Sequence, residues 1–279
     1  MILKYTESEF RINDGAVLYA REWQPESNLR GVICLVHGLG EHSGRYANMA
    51  QKLTQAGYVL STFDQRGHGK SLGRRGHTPS YETLLDDIHF FRSESLRRFP
   101  NLPMFLYGHS LGGNLVLNYV LRRQPRFTGV IVTSPWLKLT VEPPALLRAF
   151  AIFLNKLWPT FSLPSGLDLN ALSRDLNVVY AYKVDPLVHN RISVRLFVAM
   201  DQAGRWAMEN AAQFNLPLLL MHGGGDRITS SEATKRFAIH VQKDCTPKIW
   251  QGLFHELHNE PEKEEIFDYI INWLNIHNP

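Results

Sequence analysis

The apolar positions of this chain follow two rhythms that take turns. Short continuous apolar runs occur in GVICLVHG (31–38), YVLSTFD (58–64), MFLYG (104–108), TGVIVTS (128–134) and LPLLLMHG (216–223), with another strand expected near 247–250. Helical spacing appears between them, in RYANMAQKLTQAG (45–57), YETLLDDIHFFRSESLRRF (81–99) and LGGNLVLNYVLRRQ (111–124), and again near 231–242 and 262–276. Gly57 and Pro125 stop two of these helices. Strands apolar on both faces, alternating with helices, predict an α/β fold with a mostly parallel central sheet and helices on both faces. Upstream, FRINDGAVLYAREWQP alternates with period 2 around Asn13-Asp14-Gly15, which predicts an antiparallel hairpin at the sheet edge. The rhythm fails at about 136–190, and the stretch that follows reads as irregular until 216. The expected organisation is therefore a core of 1–135 and 191–279 interrupted by a helical cap at 136–190.

One strand-to-helix junction carries chemistry. FLYGHSLGG (105–113) places Ser110 in Gly-x-Ser-x-Gly between a strand and a helix. That context holds a serine on a strained turn, its Oγ exposed at the strand end and the free N–H groups of the new helix beside it. A serine hydroxyl is a poor nucleophile at neutral pH and needs a base and an acid to orient that base. In this architecture they follow in the order Ser, Asp or Glu, His, each after a later strand. Asp226 follows the run LPLLLMHGGGD, and His255 follows the next strand in PKIWQGLFHELHNE. His258 competes with His255 but is farther from the strand end and reads as the start of the last helix. Asp185 and Asp201 read as caps or surface groups, His222 as structural, and His109 as turned away by the elbow. Leu39, after the strand at 31–38, and Leu111, after the serine, supply the two backbone donors of an oxyanion hole. FDQRGHGKS (63–71) lacks phosphate-loop spacing and reads as a rim loop without chemistry, and Asp86 and Asp87 read as a solvated helix face.

Composition narrows the classes. The chain has 279 residues, a net charge of +4 and two cysteines. No cationic block suggests a nucleic-acid partner, and two cysteines make no disulfide framework. Cys34, inside an apolar run, reads as a packed small hydrophobe. The start, Met1-Ile2-Leu3-Lys4, has no signal-peptide pattern, and no run approaches membrane-spanning length. No cofactor and no metal are expected. A cytoplasmic enzyme is expected, with peripheral contact at a membrane. That contact falls to 145–158, which is apolar on more than one helical face although Arg148, Asn155 and Lys156 interrupt it. Such a helix is buried or meets lipid, so the segment is expected to lie over Ser110 as a lid, with Phe150, Phe153 and Leu154 against the substrate.

HGLGEHSGRY, FDQRGHGKS, GHSLGG, DPLV (185–188) and the Asp226/His255 pair, in this order, resemble the monoacylglycerol lipase and lysophospholipase-like group of α/β-hydrolases. The similarity runs from about residue 10 to 275, and LPSGLDLNALSRD (163–175) is similar to that group's cap. The resemblance implies a serine hydrolase of acyl esters, with Ser110, Asp226 and His255 catalytic and Leu39 and Leu111 as donors. Monoacylglycerols are the expected substrate. A lysophospholipase, a broad carboxylesterase or thioesterase, and a silent hydrolase-fold binding protein are the alternatives.

Overall fold

The structure, a computed structural model, describes residues 4–12 and 14–278. Met1 to Leu3 and Asn13, which entered the sequence reading, lie outside the described residues, as does Pro279. An eight-stranded sheet forms the centre. Its strands are β1 (Lys4–Arg11), β2 (Val17–Gln24), β3 (Gly31–Val36), β4 (Tyr58–Phe63), β5 (Met104–His109), β6 (Gly129–Thr133), β9 (Leu218–Gly223) and β10 (Cys245–Trp250), in the order β1-β2-β4-β3-β5-β6-β9-β10. The hairpin β1–β2 is antiparallel and joins antiparallel to β4, and the remaining pairs are parallel.

Side chains alternate across the sheet and so supply two apolar layers. On β3, Val32, Cys34 and Val36 enter a core with α2 (Tyr81–Arg98), α3 (Leu111–Arg123) and α7 (Ser231–His240). Ile33 and Leu35 enter the opposite core with α1 (Ala47–Gln55) and α8 (Lys263–His277). Burying each such Val, Leu or Ile is worth about 1.5–3 kcal/mol, which is why these runs specify strands buried on both faces. The thiol of Cys34, free and buried, is pushed up to about 12 by desolvation.

The topology positions the site. After β3 the chain adds β4 on one side, and then returns to add β5 on the other. Such a reversal of strand order opens a crevice at the carboxyl ends of the strands. Val36 pairs with Gly108 there, so the loop after β3 lies beside Ser110.

Between β6 and β9 the chain leaves the central sheet. It forms α4 (Ala145–Leu157), β7 (Ser162–Pro164), a 3-10 turn at Leu169–Ala171 and α5 (Leu176–Val184), and β8 (Arg191–Ser193) pairs antiparallel with β7. The stretch read as irregular before 216 instead contains a long helix, α6 (Val194–Glu209). Ser193 caps it by accepting from the Leu196 N–H, and Leu196, Met200, Ala203 and Ala207 are buried at helical spacing. Its interior Gly204, which blurred the pattern, lies against the Leu137 carbonyl, where a Cβ would approach to 2.4 Å. Asp87 also departs from expectation. It is buried and takes two hydrogen bonds from Arg66, at 2.6 and 2.7 Å, whereas Asp86 is exposed beside Arg123.

Candidate active site

The elbow at Ser110 is tight because strand and helix almost touch. A Cβ on Gly112 would lie 2.0 Å from the Val36 carbonyl oxygen, and one on Gly108 would lie 2.5 Å from that of Gly112. Ser110 itself has φ 55° and ψ −114°, a strained backbone for a residue with a side chain. Its N–H donates to the Thr133 carbonyl and its own carbonyl accepts from Asn114 and Trp136, which hold the turn in place.

Three loops converge on this point. His255 Nε2 lies 2.9 Å from Ser110 Oγ, and Nδ1 lies 2.7 Å from Asp226 Oδ2. Oδ1 of Asp226 accepts from the Ile228 and Thr229 N–H groups, and Oδ2 also from Thr229 Oγ1 and from His222 Nε2 at 3.0 Å. Burial opposes ionisation of Asp226, but the His255 charge and these hydrogen bonds outweigh it and hold the carboxyl well below its ordinary range. Burial likewise pushes His255 down, yet Asp226, with Glu256 and Glu41 behind it, leaves the imidazole above its ordinary value. The Ser134 hydroxyl donates to the His255 carbonyl at 2.8 Å and steadies the loop.

The remaining sequence candidates occupy distinct places. Leu39 lines the cavity, and Leu111 is the first residue of α3. The backbone N–H of each has no acceptor among the described residues. His258 is buried in a 3-10 turn, stacked on Tyr46 with ring centroids 4.6 Å apart, and makes no hydrogen bond to Ser110. His109, expected to turn away, packs its ring 4.9 Å from those of His255 and His258. Burial, and then the two neighbouring imidazoles, hold it well below the ordinary histidine range. Asp185 accepts from His42 and caps α5, while Asp201 on α6 pairs with Arg148 on α4 and with Arg205 on its own helix.

A cavity of about 710 Å³ opens over Ser110 and His255. Trp136, Leu139, Leu163, Ile192 and Phe197 make an apolar wall. At α4 that wall takes Leu147 and Ala151, whereas Phe150, Phe153 and Leu154, expected against the substrate, do not line it. Leu146, Phe150, Phe153 and Leu157 form an outer stripe exposed by 83, 56, 57 and 67%. The polar end was not read from the sequence, although HGLGEHSGRY contained half of it. Glu41, Tyr182 and Glu256 line that end, and Arg45, outside the lining, donates to both carboxylate oxygens of Glu256, at 2.6 and 2.7 Å, and to Glu41 at 3.0 Å, and lies over the Tyr182 ring. Among the described residues, no group of three or more His, Cys, Asp or Glu is arranged to hold a metal ion.

Comparison with known proteins gives the same architecture a family. The model of the serine aminopeptidase, S33 family matches residues 27–262. A monoacylglycerol lipase of Mycolicibacterium smegmatis is 34% identical over 257 residues, covering 91% of this chain and 91% of that protein. An uncharacterized abhydrolase domain-containing protein of Dictyostelium discoideum is 38% identical over 96% of this chain, and the chain spans only 28% of its length. The crystal structure of Paleococcus ferrophilus monoacylglycerol lipase superposes with a TM-score of 0.84 at 38% identity, covering 93% of this chain and 99% of that one. With that coverage, the chain belongs to the S33 serine aminopeptidase family of α/β-hydrolases, and within it to the monoacylglycerol lipase-like serine ester hydrolases.

Proposed function

We propose that this protein hydrolyses monoacylglycerols through an acyl-enzyme on Ser110. The observation that carries the reading is the unbroken hydrogen-bond path from Ser110 Oγ through His255 to Asp226, at the base of a cavity apolar on one side and charged on the other. His255 donates Nδ1–H to Asp226, so its Nε2 is free to take the Ser110 proton as Oγ attacks the ester carbonyl carbon. The carbonyl oxygen becomes an oxyanion and accepts from the N–H groups of Leu39 and Leu111. The imidazolium, steadied by Asp226, returns the proton to the departing glycerol oxygen. A water, deprotonated by Nε2, then attacks the acyl-serine, and its collapse releases the fatty acid and restores Ser110.

The apolar wall suits an acyl chain, and the end lined by Glu41, Tyr182 and Glu256 suits a polyol. The segment at 136–190 acts as a cap that carries the outer apolar stripe of α4 to a lipid surface. A fluorophosphonate probe should label the protein and not Ser110→Ala, and that variant should lose about 10⁴-fold or more in turnover. On a panel of 1-monooleoylglycerol, lysophosphatidylcholine and p-nitrophenyl butyrate, monooleoylglycerol should give the highest kcat/KM. Labelling that survives in Ser110→Ala would remove the nucleophile assignment, and preference for the lysophospholipid would remove the substrate assignment.

A further inference from the structure

The rim loop that follows β4 closes against the stretch by which the 136–190 segment returns to the core. The Ser193 N–H donates to the Gly76 carbonyl at 2.8 Å, His77 Nδ1 lies 2.9 Å from Ser193 Oγ, and Arg195 Nη1 donates to the Pro79 carbonyl at 2.6 Å. This seam gathers four arginines from two widely separated stretches, Arg74 and Arg75 on one side and Arg191 and Arg195 on the other. Arg74 and Arg191 are exposed, and Arg75 and Arg195 are half-buried.

These arginines lack the acids that others have. Arg97, Arg123 and Arg205 each reach a carboxylate at the surface. Among the described residues, none of the four seam arginines pairs with a carboxylate: Arg75 donates to the Gly69 carbonyl and Arg195 to that of Pro79, while Arg74 and Arg191 make no side-chain hydrogen bond. The His77 ring registers the excess. Burial, then the charges of Arg195 and Arg74, hold it below the ordinary histidine range. Like charges gathered this way repel one another and attract an anion.

Apolar side chains flank the charge. Leu72, in the same rim loop, is exposed by 71%. Across the seam the Arg195 N–H donates to the Pro159 carbonyl, just past the exposed Leu157 and Trp158. Nucleic acid offers phosphates but nothing for these side chains, whereas a bilayer offers phosphates at the headgroup level and acyl chains beneath them.

We propose that this seam is a docking surface for membranes rich in anionic phospholipid: the guanidinium groups take headgroup phosphates, and Leu72 and the Leu157–Trp158 end of α4 enter the acyl boundary. A guanidinium fork meets phosphate oxygens two at a time, which makes arginine the suited cation. The surface reads charge beside the apolar stripe of α4 and does not depend on the Ser110 chemistry.

The test compares Arg74→Gln, Arg191→Gln with a control of equal charge loss, Arg126→Gln, Lys243→Gln. The control pair precedes β6 and β10, at the opposite edge of the parallel sheet from the loop after β4. Co-sedimentation is measured at low salt with vesicles of phosphatidylcholine and of its equal mixture with phosphatidylserine. The seam variant should lose about 10- to 30-fold in affinity for the mixed vesicles, about 5-fold per arginine, and the control less than about 3-fold. Binding of the seam variant to neutral vesicles, and its hydrolysis of p-nitrophenyl acetate, should stay at the wild-type level. A nitroxide attached in Leu72→Cys, in a Cys245→Ser background, should become shielded from a water-soluble paramagnetic relaxant on mixed vesicles. Equal losses in the two variants would reduce the effect to net charge and overturn the proposal. So would a wild-type protein without preference for mixed vesicles, a label at 72 that stays in water, or tighter binding to a short DNA duplex than to the mixed vesicles. Vesicle preference without esterase activity in the wild type would instead overturn the hydrolase reading and leave this one standing.

Discussion

At the scale of single residues, charge around His255 bears directly on the proposed mechanism. In that mechanism His255 must be neutral to take the Ser110 proton, and its neighbours hold its pKa above the ordinary value. Activity should therefore rise as pH climbs through that raised pKa, and the acidic limb of kcat/KM should have its midpoint above about 6.5, the unperturbed histidine value. Asp226→Asn removes the principal charge that raises it. The midpoint should move to lower pH, and the plateau should drop by about 10⁴. A wild-type midpoint below that of a free histidine would count against this electrostatic account. His255→Ala should cost about as much as loss of the nucleophile, whereas His258→Ala should cost less than about 10-fold, since His258 stacks on Tyr46 and makes no bond to Ser110. Steady-state rates on a soluble ester separate the two, and the reverse order would exchange their roles.

At the scale of elements, α4 is amphipathic in the inverted sense. Its polar Arg148 turns inward to Asp201, while Leu146, Phe150, Phe153 and Leu157 face out. Replacing Phe150 and Phe153 by serine should weaken binding to lipid vesicles by about 10-fold or more, given the apolar area each ring would bury. Hydrolysis of p-nitrophenyl acetate should stay unchanged, and equal loss on both readouts would make α4 a support of the fold. The loop after β4 is tied to α2 by Arg66 and the buried Asp87, whose carboxyl burial raises to about 6 even so. Arg66→Ala leaves that carboxyl buried without its partner. It should destabilise the fold by about 3 kcal/mol, seen as a lower Tm, and Asp87→Asn in the same chain should recover part of the loss.

At the scale of the whole molecule, no helix among the described residues is long and apolar enough to cross a membrane. Net charge is +4 and the apolar stripe is short. Vesicle association should therefore be reversible, stronger on anionic than on neutral lipid, and partly released as salt rises. A residue of salt-insensitive binding should remain and vanish in the Phe150→Ser, Phe153→Ser variant. Co-sedimentation at two salt concentrations checks both parts, and binding that salt leaves wholly unchanged would remove the electrostatic contribution. The segment proposed as a cap also reaches both sides of the site. Its His189 N–H donates to the Gly40 carbonyl, and its Leu172 carbonyl accepts from the Glu256 N–H.

Local chemistry is what a sequence can carry. Runs apolar on both faces could only be buried strands, and the order of Ser110, Asp226 and His255, each just past a strand, was legible because a parallel sheet gathers its carboxyl ends on one edge. The helix at 194–209 was hidden by an interior glycine whose reason, the close Leu137 carbonyl, lies elsewhere in the chain. Burial of Asp87 depends on Arg66, and the inward or outward face of α4 depends on Asp201; neither partner is nearby in sequence. The charged end joins Glu41 and Arg45 to Glu256 across more than two hundred residues. The sequence by itself determined the buried strands, most of the flanking helices, and the placing of Ser110, Asp226 and His255 each just past a strand. Tertiary structure alone decided which side chains line the cavity, which are buried, and which charges pair, because each depends on partners that only folding brings within reach.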